Sequence, residues 1–149
     1  MSTRVISWSD PPAMEVGAPM PVIRSVADLL VVAYICRDPE FPGWDGVAAP
    51  ERPGLDVWSA VLRFDGVAWH HFGAPNDEGL HSHPLYPVGL GFYGFCEVLD
   101  SPRVPDGSAL RHWIATFHDE TLEVVAASAS IIARRVDGEE THEIVRQYT

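Results

Sequence analysis

The chain has 149 residues, 46% of them hydrophobic, so one domain spanning 1–149 with a buried core is expected. It carries 10 Lys+Arg against 21 Asp+Glu, for a formal net charge of -11. Such a surface repels a phosphate backbone and an anionic bilayer, so neither nucleic acid nor membrane is an expected partner.

Residues 1–21 read as an extended arm, because Pro11, Pro12, Pro19 and Pro21 oppose both a helix and a central strand. Trp8 is expected to pin that arm to the body. The opening MSTRVISWSDPP has no basic stretch followed by an apolar one, and no apolar run is long enough to cross a bilayer, so a cytoplasmic location is expected. VIRS and LLVVAYICR then predict two strands around a turn at Ala27-Asp28. The Pro, Gly and Asp content of 38–56 predicts a loop.

VWSAVLRF-DG-VAWHHFG predicts a hairpin closed by Asp65-Gly66, the pair favoured in two-residue turns. That pairing sets Leu62 opposite Trp69 and Ala60 opposite His71. Trp58, Trp69 and His71 then share the apolar, inward face. A long loop follows to Gly91, carrying Asn76, Asp77, Glu78, His81 and His83 among Leu80, Leu85, Tyr86 and Leu90. It is too apolar for disorder and is expected to pack over a site.

GFYGFCEVLD predicts a buried strand, and Asp100–Ala109 another Pro/Gly-rich connection. ALRHWIATFH and TLEVVAA predict a hairpin around Asp119-Glu120, with Trp113 opposite Ala126. Its core face holds Trp113, Ala115, Phe117, Leu122, Val124 and Ala126. The other face holds His112, Ile114, Thr116, His118, Thr121, Glu123 and Val125. It is expected to meet water unless a barrel or partner covers it, with His118 and Glu123 as diagonal neighbours. The small residues of AASAS, 126–130, would let a long strand turn a corner. SIIARRV-DG-EETHEIVRQY predicts a third hairpin, with Arg135 facing Glu140 and an edge strand available for a homodimer. The expected class is mainly β, with α+β possible: antiparallel hairpins in a curled sheet, small barrel or sandwich, with few short helices near 76–81 and 106–111.

All ten basic residues are arginine, which removes lysine Schiff-base chemistry. There is no GxSxG, GxGxxG, Walker A, HExxH or CxxC, so no motif supports serine hydrolysis or nucleotide binding, and no cofactor is expected. Cys36 and Cys96 lie in apolar runs and read as buried free thiols. His81-Ser82-His83 has the spacing of a metal pair on a strand, but Pro84 spoils strand geometry and no second histidine box follows.

The blocks SWSDPP, VGAPMPV, HFGAPNDE, HPL and FHDETLE, across roughly residues 7–126, resemble a family of small bacterial proteins sharing FGxPNDE…HPL and FHDxTxE. Its members usually have a longer connection where this chain has Asp100–Ala109. The resemblance implies no activity, substrate or cofactor. It implies that His71, Asn76, Asp77, Glu78, His83, His118, Asp119 and Glu123 belong together.

Three function classes follow. The first is a cofactor-independent acid–base enzyme acting on a small molecule: an isomerase, cyclase, dehydratase or hydrolase. Its catalytic set would be His71, Asp77, Glu78, His118 and Asp119. Trp58, Trp69, Asn76, His83, Tyr93 and Glu123 would bind the ligand. The second is a non-catalytic module binding a small molecule or a protein. The third is a metal-dependent enzyme using His81 and His83.

Overall fold

The computed structural model describes residues 2–15, 21–36, 59–133 and 141–149. They form two antiparallel sheets packed face to face, not closed into a barrel. The four-stranded sheet runs in the order β2 (Val22–Val26), β3 (Leu29–Ile35), β4 (Ser59–Asp65), β9 (Ser128–Ala133). The five-stranded sheet runs β1 (Arg4–Ser7), β6 (Phe95–Leu99), β7 (Arg111–Thr116), β8 (Thr121–Ala126), β5 (Trp69–Gly73).

Alternation along the strands builds the core between the sheets. Leu30, Val32 and Tyr34 of β3 and Ala60, Leu62 and Phe64 of β4 meet Phe95, Trp113, Ala115, Leu122 and Val124 of the other sheet. Trp8 does pin the N-terminal segment. Its ring lies 6.1 Å from Trp113 and 6.3 Å from both Phe64 and Phe95. The segment is not all extended arm, however, because Arg4–Ser7 pairs with β6 before the prolines begin.

The Ala27-Asp28 turn closes β2 on β3 as expected, with Val26 opposite Leu29. The Asp65-Gly66 hairpin does not form. β4 pairs with β3 and β9, and β5 pairs with β8. Asp65-Gly66 is a corner, through which the chain leaves one sheet and enters the other. β8 and β9 make the reverse crossing at Ala127, within the small-residue run, and Ala127 N–H donates to Asp65 O at 3.0 Å. Turn residues specify a change of direction, not the partner found after it. The consequence is that Trp69 and His71 lie on the outer face of the five-stranded sheet, and His71 is exposed rather than buried.

Gly66 has φ +64°, and a Cβ there would sit 2.8 Å from the Ala127 Cβ. Gly66→Ala should therefore lower stability by about 1–3 kcal/mol in urea denaturation, from the left-handed backbone and the clash together. Gly91→Ala, where a Cβ meets nothing within 4 Å, should stay within about 0.5 kcal/mol.

The second hairpin keeps its predicted faces but not its register. Trp113 faces Val124, not Ala126, because the turn takes Phe117 to Glu120 rather than Asp119-Glu120 alone. His118 and Glu123 are consequently not neighbours. The third hairpin lacks its second arm: Thr141–Gln147 is a helix, α1. Ile144 and Val145 pack with Val31, Ala33 and Val61 on the outer face of the four-stranded sheet, with Tyr148 beside them. Apolar residues at i, i+1 and i+4 fit a helical stripe better than a strand. Asp137-Gly138 and the Arg135–Glu140 pair lie outside the described residues. Among the described residues no helix is long and apolar enough to cross a membrane.

Candidate functional site

Most of the outer face of the five-stranded sheet is covered, with His71 left exposed on β5. Residues 74–91 cross it, with short 3-10 turns at Leu80–Ser82 and Tyr86–Val88. Leu80 and Leu90, with Leu85 beside them, bury Ile114, Cys96 and Val98. Thr121 and Thr116, paired across β7 and β8, fasten the two ends. Thr121 Oγ1 donates to Pro75 O at 2.8 Å, and Thr116 Oγ1 donates to Gly91 O at 2.8 Å. That part of the face is thus covered by the chain itself, and its polar groups must be paired internally.

Glu123 is the centre of that pairing. Its Oε1 lies 3.0 Å from His112 Nε2, and its Oε2 lies 3.1 Å from His83 Nε2. Leu85 N–H donates to His83 Nδ1 at 3.0 Å, so His83 carries its proton on Nε2 and gives that bond to the carboxylate. Ser101 Oγ accepts Arg103 N–H at 3.1 Å and lies 2.7 Å from His112 Nδ1; with Nε2 of that ring facing a carboxylate that can only accept, the neutral tautomer leaves Nδ1 to accept the hydroxyl proton. His112 then also presents Nε2–H to Glu123. Two imidazole N–H groups therefore donate to one carboxylate. Burial by itself pushes the Glu123 pKa up, but the bonds from His112 and His83 outweigh it and bring it down to about 2.

A cleft of about 410 Å³ opens beside this group. His71, directly opposite Glu123 on β5, and Trp69 form one wall. His83 and Pro84 supply another, and Arg103 reaches over the top with its guanidinium carbon 3.9 Å from the Trp69 ring. His71 stacks on Trp69 at 6.5 Å and 12°, and His112 meets the same indole edge-on at 6.4 Å. Among the described residues the His71 ring makes no hydrogen bond, and the Arg103 guanidinium makes no ion pair.

Asp77, His118, Asp119 and Tyr93 form a separate surface group. Tyr93 O–H donates to Asp77 Oδ2 in a short bond. His118 lies 3.6 Å from Asp77 and 2.9 Å from Asp119, and stacks on Tyr93 at 6.2 Å. The Tyr93 bond holds the Asp77 carboxyl below its usual range, with the opposing effect of burial overcome. Asp119 and then the Asp77 charge raise the His118 pKa.

The residues expected to act together are thus split. Glu123, His83, His71 and Trp69 share the cleft, whereas Asp77, His118, Asp119 and Tyr93 sit apart from it. Asn76 caps its own turn by accepting Gly79 N–H at 3.0 Å, and Glu78 is exposed. Trp58 lies outside the described residues. His81 is exposed while His83 turns inward, and among the described residues no three His, Cys, Asp or Glu side chains converge on a metal position. Cys96 is buried, which with the Glu123 charge pushes its thiol up to about 12.

His112, Ser101 and Arg103 were not legible as site residues. Alternation alone puts His112 and Glu123 on one face; with Trp113 set opposite Val124, they become diagonal neighbours. No family model matches this chain, nor does any curated protein or solved structure.

Proposed function

We propose that the cleft holds a small organic anion and that His71 moves a proton on it, with no cofactor, in an isomerase-, cyclase-, dehydratase- or hydrolase-type reaction. The observation that carries this reading is His71, an imidazole without a hydrogen bond among the described residues, facing a carboxylate held ionised on the neighbouring strand. His83 has Nδ1 taken by a backbone N–H and Nε2 by Glu123, and Glu123 has both oxygens engaged, so neither offers this cleft a free proton site. His71 is accessible and stands on the strand beside Glu123, where a ring nitrogen can meet a bound substrate. Arg103 supplies the positive end of the cleft, released from Trp69 to a carboxylate or phosphate. The volume suits a ligand of modest size.

The test is catalysed hydrogen–deuterium exchange on a panel of small carboxylic acids in deuterium oxide, followed by proton NMR. Exchange at carbon is expected for at least one acid. His71→Ala should slow it roughly 10²–10⁴-fold with little change in melting, because the ring is exposed. Arg103→Met should weaken binding of the same acid. Equal exchange by wild type and His71→Ala would remove His71 from the chemistry. An acid that raises the melting temperature without exchange would favour the non-catalytic binding module.

A further inference from the structure

Ser101 follows β6 at a point where the backbone is strained. Asp100, the residue before it, has φ +53°, a left-handed conformation that a side chain with a Cβ rarely adopts. Ser101 is 8% exposed and lines a second hollow, an open groove of about 840 Å³ whose walls also carry Glu97, Ser108, Leu110 and Arg111. Behind it stands a series of three groups. Ser101 Oγ lies 2.7 Å from His112 Nδ1, His112 Nε2 lies 3.0 Å from Glu123 Oε1, and His83 Nε2 fixes the far oxygen of the carboxylate at 3.1 Å. Hydroxyl, imidazole and carboxylate in that order are the parts of an activated oxygen nucleophile, recognised by geometry rather than by sequence position. Here the hydroxyl uses Nδ1 and the carboxylate Nε2. A neutral imidazole offers one acceptor and one donor, so either arrangement serves. His112 is 2% exposed, so bulk solvent does not displace Ser101 or Glu123 from its ring, and a reacting water must enter from the groove.

We infer that Ser101 is an acyl-accepting nucleophile, with His112 as its base and Glu123 as the group that positions and charges His112, and that the groove admits a small carboxylic ester. Ser101 Oγ bonds to the acyl carbon while its proton passes to His112 Nδ1. The bond from that carbon to the ester oxygen breaks, and the departing alcohol takes the proton back from His112. A water molecule then repeats the steps, releasing the acid and restoring the serine. The imidazolium formed in between is balanced by Glu123. This site lacks a glycine-flanked serine, which is why no motif announced it. It does not rest on the reaction proposed for His71, and either can fail alone.

The experiment is reaction of the folded wild-type chain with an alkyl fluorophosphonate, read by intact mass and peptide mapping. A parallel assay follows p-nitrophenyl acetate hydrolysis. The expected result is one phosphonyl adduct, on Ser101, with loss of ester hydrolysis in the labelled protein. Ser101→Ala should take no adduct. Heat-denatured wild type should take none either, since the series exists only in the fold. Wild-type mapping decides the matter even if Ser101→Ala does not fold. A folded wild type that stays unmodified at Ser101, or one modified only elsewhere, would overturn the inference.

Discussion

Glu123→Ala should destabilise the protein by about 3–5 kcal/mol in urea denaturation, the scale for removing one partner of a buried charged network. The carboxylate accepts from His83 and His112, which are 9% and 2% exposed, so the substitution leaves two buried imidazole donors without their partner. Glu123→Gln should cost less, about 1–3 kcal/mol, because the amide oxygen still accepts one bond while its NH2 meets a second donor. The pH profile separates the charge from the packing. The native carboxyl titrates near 2 against an ordinary value of 4.5, so the folded state favours its ionised form. That stabilisation, about 3 kcal/mol, is complete above pH 4.5 and disappears as pH falls through 2. The Gln variant should lack that acid-side loss. An identical acid profile for the two proteins would show that Glu123 carries no such charge preference.

Leu80→Ala should cost about 2–5 kcal/mol, the range for truncating a buried leucine where the surroundings relax only in part. Leu80 is 1% exposed and sits in the cluster that seats residues 74–91 on Ile114, Cys96 and Val98. The seat also determines whether His83 reaches Glu123, since His83 lies in the same short segment. Hydrogen exchange should therefore show lost protection at the His83 and Leu90 amides, both bonded to carbonyls within the segment. Strands β3 and β4 should lose protection only in step with global stability. Uniform loss across the whole chain would mean that the segment and the sandwich unfold as one unit.

What the sequence made legible depended on which features are local. The β2–β3 hairpin needed only two β-rich runs and a two-residue turn. The core face of the β7–β8 hairpin was legible despite the displaced register, because a slip of two residues returns every side chain to its own side. The same slip hid the pairing of His112 with Glu123. His71 went to the wrong side for a different reason. An Asp-Gly turn is compatible both with a chain that doubles back and with one that changes sheet, and only the partners of β5 decide between them. The helix at Thr141–Gln147 was misread because EETHEIVRQY is short enough to alternate passably as a strand. His83 and Glu123 are 40 residues apart, and nothing in either neighbourhood advertises the other. Their contact exists because the leucines of the crossing segment dock where they do.

The paired corners at Gly66 and Ala127 have a bearing on how this chain reaches its native state. Neither sheet is drawn from contiguous sequence, since β1 and β5 to β8 make one while β2 to β4 and β9 make the other. Neither is complete until the chain has crossed between the sheets at both corners. Segments far apart along the chain must meet at the corner, bearing the loop-closure entropy before most of the apolar gain arrives. Refolding should accordingly be slow for a chain of this size, and the outer-face network should be among the last features to lock.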